Sequence, residues 1–198
     1  LSTGVEVHKE VSIGKDITLD EMREKFDAVF VAIGAHTDKK LGIEGEDAEG
    51  VISAVDMLRA VGDDEIPDYK GKRVIVIGGG NVAMDCARSS VRFGAESVSI
   101  VYRRRKSDMT ALKEEVEGAE AEGCDVKELI SPVKIEKDEN GKVKGLWVQP
   151  QMISVVKRGR PAPKNANKEM QFIPCEMIQV AIGQDIESDY FEKVGIPV

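Results

Sequence analysis

Residues 74–90, VIVIGGGNVAMDCARSS, carry the reading that decides the fold. Val74 to Ile77 are four β-branched apolar residues in a row, the pattern of a strand buried on both faces, and the small-residue run from Asn81 reads as a helix. Between them Gly78, Gly80 and Ala83 satisfy G-x-G-x-x-A. In that setting Gly78 makes the tight turn, Gly80 leaves room for a pyrophosphate against the backbone, and Ala83 lets helix and strand pack closely. The helix start offers free amides and the positive end of its dipole to phosphate. A glycine-rich turn of an ordinary α/β domain shares this pattern, so its neighbours have to decide.

Outward from the turn, strand 73–77, helix 81–92 and a second buried strand in ESVSIVY (96–102) make one β-α-β unit. Where the ribose keeps a free 2′-hydroxyl, the second strand ends in an acid roughly 20 residues past the first glycine. Here that end reads VYRRRK, with Arg103 falling 25 positions after Gly78. A guanidinium suits a 2′-phosphate, which selects NADP(H) over NAD(H). Arg103 and Arg104 are assigned to that phosphate and Arg105 and Lys106 to its rim; the alternative is a solvated basic loop.

Upstream, VEVHKEVSIGKDI (5–17) alternates as a strand and turn, and Thr18 and Glu21 have the spacing of a capping box for a helix reaching about Phe26. DAVFVAIGA (27–35) reads as a buried strand ending at Gly34. LGIEGEDAEG (41–50) reads as an exposed linker, and SAVDMLRAV (53–61) as a helix capped by Ser53. Downstream, Leu112, Val116 and Ala119 have helical spacing before Gly123, with Glu114 and Glu115 on a solvated face. Asn140 and Gly141 mark a hairpin, 155–172 reads as an exposed loop between antiparallel strands, and MIQVAIGQD (177–185) is another buried strand. VFVAIGA and IQVAIGQ repeat one strand-then-glycine phrase 149 residues apart, which suggests two related lobes.

Composition narrows the function. With 41% apolar residues the 198-residue chain can bury a real core, so a soluble globular protein is expected. A net charge of −8 repels nucleic acid and anionic membrane, and no apolar run is long enough for a membrane span. The basic segments RRRK and KRGRPAPK lack the interleaved aromatics of a nucleic-acid platform. Cys86, Cys124 and Cys175 include no CxxC pair, and Cys86 sits where a small apolar side chain packs well. A reducing cytoplasm is expected, and no metal site is. His8 and His36 stand beside no nucleophile motif, so no catalytic residue is assigned. The chain begins at Leu1 and reads as a piece of a longer polypeptide.

FDAVFVAIGA, LGIEGED, ISAVDMLRAV, VIVIGGGNVAMDCARSSVRFGAESVSIVYRRR, MTALKEEV and VAIGQ together resemble the small (beta) subunit of NADPH-dependent glutamate synthase and its relatives. Those relatives include the flavin and NADPH region of dihydropyrimidine dehydrogenase and the larger subunit of NADH-dependent ferredoxin:NADP oxidoreductase. The resemblance covers essentially the whole chain. It implies an α/β fold: a Rossmann-like three-layer nucleotide-binding domain with an antiparallel β hairpin or meander, plus a partial FAD-domain segment. Residues 1–48 would be the tail of the FAD-binding domain, 49–183 the NADP(H)-binding domain and 184–198 the start of the return.

By the same carry-over Gly79, Gly80, Asn81 and Val82 lie against the pyrophosphate, and Arg103 and Arg104 hold the 2′-phosphate. Gly34 lies near the cofactors, and Ala181, Ile182 and Gly183 pass near nicotinamide and flavin. The implied reaction is hydride transfer from NADPH to FAD. Electrons would pass on to an iron–sulfur or glutamate-synthase-large-subunit-like partner, the flavin site being completed by the rest of the FAD-binding domain. The family's cluster cysteines and first glycine fingerprint do not occur in this sequence, so the chain alone is expected to be colourless and inactive. The rival expectation is a flavin-independent NADP(H)-binding or sensing module.

Overall fold

The computed structural model describes residues 3–157 and 159–196. In chain order they form α1 (Leu19–Lys25), β1 (Thr37–Asp38), β2 (Val51–Ser53), α2 (Ala54–Gly62), β3 (Arg73–Ile77), α3 (Asn81–Arg92) and β4 (Ser97–Val101). A single 3-10 turn, Lys106–Asp108, leads to α4 (Lys113–Ala121), β5 (Asp125–Lys127), β6 (Ile130–Lys137), β7 (Val143–Lys157) and β8 (Arg160–Asn165). The chain continues through β9 (Gln171–Pro174), β10 (Met177–Val180), β11 (Gln184–Asp185) and α5 (Asp189–Lys193). Two compact units result, residues 38–184 and residues 1–37 with 185–198.

Within 38–184 a five-stranded parallel sheet runs in the order β2-β10-β3-β4-β5. Its central strands β3 and β10 are mostly apolar because both faces are covered. Val74, Val76, Val98 and Ile100 turn toward Met84, Ala87 and Val116 of the helices. Ile75, Ile77, Val101, Ile178 and Val180 turn toward Ile135, Leu146 and Val148 of the antiparallel sheet of β6, β7, β8 and β9. The alternation of one strand's side chains thus builds two cores and three layers, as the sequence implied. One helix-side position is polar: Gln179 Nε2 donates to the Tyr69 hydroxyl and the Ser90 hydroxyl, each at 2.9 Å.

Local signals worked where side chain and backbone agree. Thr18 and Glu21 close the capping box of α1, and the Ser53 hydroxyl accepts from the Asp56 amide at 3.1 Å to start α2. At the hairpin Asp138 Oδ1 accepts from the amides of Asn140 and Lys142, at 2.8 and 2.9 Å.

Six expectations need correction. Residues 5–12 form no strand, since among the described residues no strand pairs with them; Ile13 and Ile17 bridge around a turn. Residues 27–35 likewise lack a sheet partner, and Phe30 stands 92% exposed. Leu112 lies ahead of α4 and is exposed, while Val116 and Ala119 are buried. Glu115 is not merely solvated: it pairs with Arg88, which with Arg92 also holds Glu122 and so clamps α3 to α4.

The fifth correction concerns 155–172, which contains β8. Pro161 and Pro163 fit there because β8 is an edge strand, paired among the described residues with β7 alone. Residues 41–50 also pack more than a linker would. Leu41, Ile43 and Ala48 join the second core, and Glu44, Asp47 and Glu49 pair with Lys134, Lys137 and Lys142.

Candidate nucleotide site

From β3 the chain runs to β4 and β5 on one side, while β10 and β2 lie on the other, so the sheet order reverses at β3. Open α/β sheets bind ligands in the crevice beyond the carboxyl ends of the strands at such a point. A cavity of about 690 Å³ lies there, lined by Gly78–Val82, Tyr102–Arg104 and Ala181–Gly183, with Thr110 and Arg160.

The glycine turn is shaped by its neighbours. A Cβ on Gly78, whose φ is +156°, would collide with the Ala181 carbonyl oxygen, and one on Gly79 would collide with the Tyr102 ring. At Gly80 a Cβ would meet only Thr110 Oγ1, at 3.6 Å. Gly80 is the N-cap of α3 and supplies no side chain to it, and the first turn of the helix holds no acid. Among the described residues the amides of Gly79, Gly80, Asn81 and Val82 donate to no protein acceptor. The Gly79 carbonyl meanwhile accepts from the amides of Thr110 and Ala111, and Asn81 Oδ1 accepts from the Leu112 amide at 2.8 Å. The loop after β4 is thereby stitched to the turn. Ala83 is fully buried beneath it in the helix-side core.

The four cations after β4 separate into two pairs. Arg105 grips Asp108, with Nε at 2.9 Å and Nη2 at 3.1 Å, and that guanidinium holds the Asp108 carboxyl below its usual range. Lys106 pairs with Glu120 at 2.9 Å, which raises its pKa. Arg103 is exposed and has no hydrogen bond or ion pair among the described residues, and Arg104 donates only through Nε, to the Pro161 carbonyl at 2.7 Å. Arg103 and Arg104 therefore line the cavity with no carboxylate partner among the described residues, whereas Arg105 and Lys106 are already paired.

Of the twelve residues expected at the site, ten line this cavity and Ala83 supports it from below. Gly34 belongs to the other unit. Sequence reasoning missed Arg160, because a basic run with prolines carries no signal of where one of its members points. No thiol is set up for redox chemistry: burial pushes Cys86 and Cys175 up to about 12 and Cys124 up to about 11. Among the described residues no cluster of His, Cys, Asp or Glu fits a metal ion, and no helix is long and apolar enough to cross a membrane.

Comparison with known proteins identifies the family and the fold. A family described as pyridine nucleotide-disulphide oxidoreductase matches residues 2–198. The chain is 38% identical, over 96% of its length, to the NADP(+)-dependent formate dehydrogenase subunit beta of Moorella thermoacetica, and spans 27% of that protein. It is 35% identical, over 91% of its length, to the Glutamate synthase (NADPH) small chain of Escherichia coli strain K12, and spans 40% of it. Among solved structures, Mycobacterium tuberculosis FprA in complex with NADPH matches with a TM-score of 0.72 at 24% identity, over 88% of this chain and 54% of that one. This last likeness is one of fold.

Proposed function

Because the chain belongs to the pyridine nucleotide-disulphide oxidoreductase family, we propose that residues 38–184 hold the NADP(H) site of a flavin-dependent oxidoreductase. Residues 1–37 and 185–198 then belong to its FAD-binding part, with Gly34 on that side. The amides of Gly79, Gly80, Asn81 and Val82 bind the pyrophosphate, aided by the α3 dipole. Arg103 and Arg104 bind the 2′-phosphate, and Ala181, Ile182 and Gly183 form the wall for the nicotinamide.

The residues suit the cofactor on physical grounds. An acid-free helix start with unused amides takes an anion at no cost in broken bonds. The openness at Gly80 admits a phosphate that a Cβ would crowd. The single observation that carries the reading is Arg103: a guanidinium at the end of β4 with no protein partner among the described residues, beside this turn. The chemistry a bound flavin supplies is acceptance of a hydride from NADPH and release of the electrons to an acceptor. This chain's part is to bind and orient the dinucleotide. Several relatives carry subunit names, which supports a partner subunit as the onward acceptor, such as an iron–sulfur or glutamate-synthase-large-subunit-like protein.

Titration with NADPH and NADH tests the reading. A charge-assisted bond contributes roughly 1.5–3 kcal/mol, so Arg103→Ala should weaken NADPH about ten- to a hundredfold and leave NADH nearly unchanged. Arg105→Ala should cost much less. Equal losses for both nucleotides in Arg103→Ala would contradict the assignment.

A further inference from the structure

The charge of this cavity has a source outside the strand ends. Arg160 opens β8, opposite Lys157 in the hairpin with β7, and it lines the same cavity as Arg103 and Arg104. Its Nη2 donates to the Tyr102 hydroxyl at 3.4 Å and to the Asp108 carbonyl at 3.3 Å. Both acceptors are neutral and both bonds are long, so they hold the guanidinium in place without cancelling its charge. Among the described residues it has no carboxylate partner, in contrast to Arg105 with Asp108 and Lys106 with Glu120. The next residue of the hairpin acts too. The Pro161 carbonyl takes Arg104 Nε at 2.7 Å, which leaves both Arg104 Nη groups without a protein partner among the described residues. One edge hairpin thus supplies one guanidinium to the cavity and aims a second.

We propose that Arg160 is a specificity-determining residue: together with Arg103 and Arg104 it binds the 2′-phosphate, so that the β7–β8 hairpin takes part in choosing NADP(H) over NAD(H). The inference rests on the NADP(H) reading above. A phosphate monoester offers several charged acceptor oxygens, and a planar guanidinium meets two of them at once. Exchanging two long bonds to neutral oxygens for such contacts is favourable. Arg105, gripped on both sides by Asp108, would have to break an ion pair to do the same.

Calorimetric titration of the full-length protein with adenosine 2′,5′-bisphosphate and adenosine 5′-monophosphate reads 2′-phosphate recognition without turnover. Arg160→Ala should weaken the bisphosphate about tenfold and leave the monophosphate within about twofold. Arg160→Lys, which keeps the charge but loses the fork, should fall between. Because Arg160 is exposed on an edge strand, the melting temperature should stay that of the parent. No change, or an equal loss for both ligands, overturns the role of Arg160. In that event a selective loss in Arg103→Ala, measured alongside, leaves the NADP(H) reading standing, whereas an unselective one brings both down.

Discussion

A Cβ on Gly78 would run into the Ala181 carbonyl oxygen, while a Cβ two residues later, on Gly80, would find only Thr110 Oγ1 at 3.6 Å. The first glycine is therefore required by the fold and the second, on the NADP(H) reading proposed above, by the ligand. Gly78→Ala should cost at least about 1–3 kcal/mol in urea unfolding, since it adds strain to a backbone region that side chains avoid. Gly80→Ala, at an extended φ of −101°, should cost only the roughly 0.5–1 kcal/mol of a poorer N-cap yet bind NADPH at least about tenfold more weakly. If Gly80→Ala binds normally, no phosphate approaches the backbone there. The cysteines give a residue-scale prediction about pH. Burial raises Cys86 and Cys175 to about 12 and Cys124 to about 11, whereas the unfolded chain ionises its thiols near pH 8.5. A raised folded value means the contribution to stability is complete below pH ~8.5 and is lost as the pH climbs through 11 to 12. The urea midpoint should fall between pH 8.5 and 10.5, and replacing the three cysteines with alanine should flatten that fall. An unchanged slope would show that the thiols do not drive it.

At the scale of elements, α2 starts on one hydroxyl. Ser53 ends β2 and caps α2, accepting from the Asp56 amide, so Ser53→Ala should lower stability by about 1 kcal/mol in chemical denaturation, and Ser53→Asp should restore most of it. Such caps were legible in the sequence because one side chain and one turn of backbone settle them. The β3–α3–β4 unit was legible for a related reason: local pattern and tertiary burial ask for the same residues, and the structure puts β3 and α3 at the expected bounds, 73–77 and 81–92. Elements whose existence depends on a distant partner were read unevenly: MIQV was legible as the strand β10, but two others were not. The run VFVAIGA has the composition of a buried strand, but burial needs neighbours, and among the described residues none covers Phe30. Pro161 and Pro163 hid β8, since only the pairing with β7 reveals that their missing amides fall on an open edge. Arg103 announced itself by its offset from Gly78. Arg160 did not, because its place beside Tyr102 comes from the fold of the hairpin and not from spacing along the chain.

For the whole molecule, the distribution of buried apolar surface decides what can stand alone. Both hydrophobic cores are built from residues between Leu41 and Ala181. Among the described residues Leu19 is the only buried apolar side chain outside 38–184. The described residues of 1–37 and 185–198 therefore bury little of what stabilises a fold at about 25 cal/mol per Å². Every residue lining the cavity beyond β3, β4 and β10 likewise lies within 38–184. Residues 38–184 expressed alone should then melt cooperatively within about 5 °C of the 198-residue chain, a shift equivalent to 1–2 kcal/mol in a domain of this size. They should also bind NADPH with a dissociation constant within about twofold of that chain's. Residues 1–37 alone should show no cooperative transition. Circular dichroism melts and calorimetric titrations of the two pieces would measure this. A large drop in melting temperature, or loss of NADPH binding, in residues 38–184 would mean that the terminal segments contribute to the core or to the cavity, and the nucleotide site would then have to be redrawn across the whole chain.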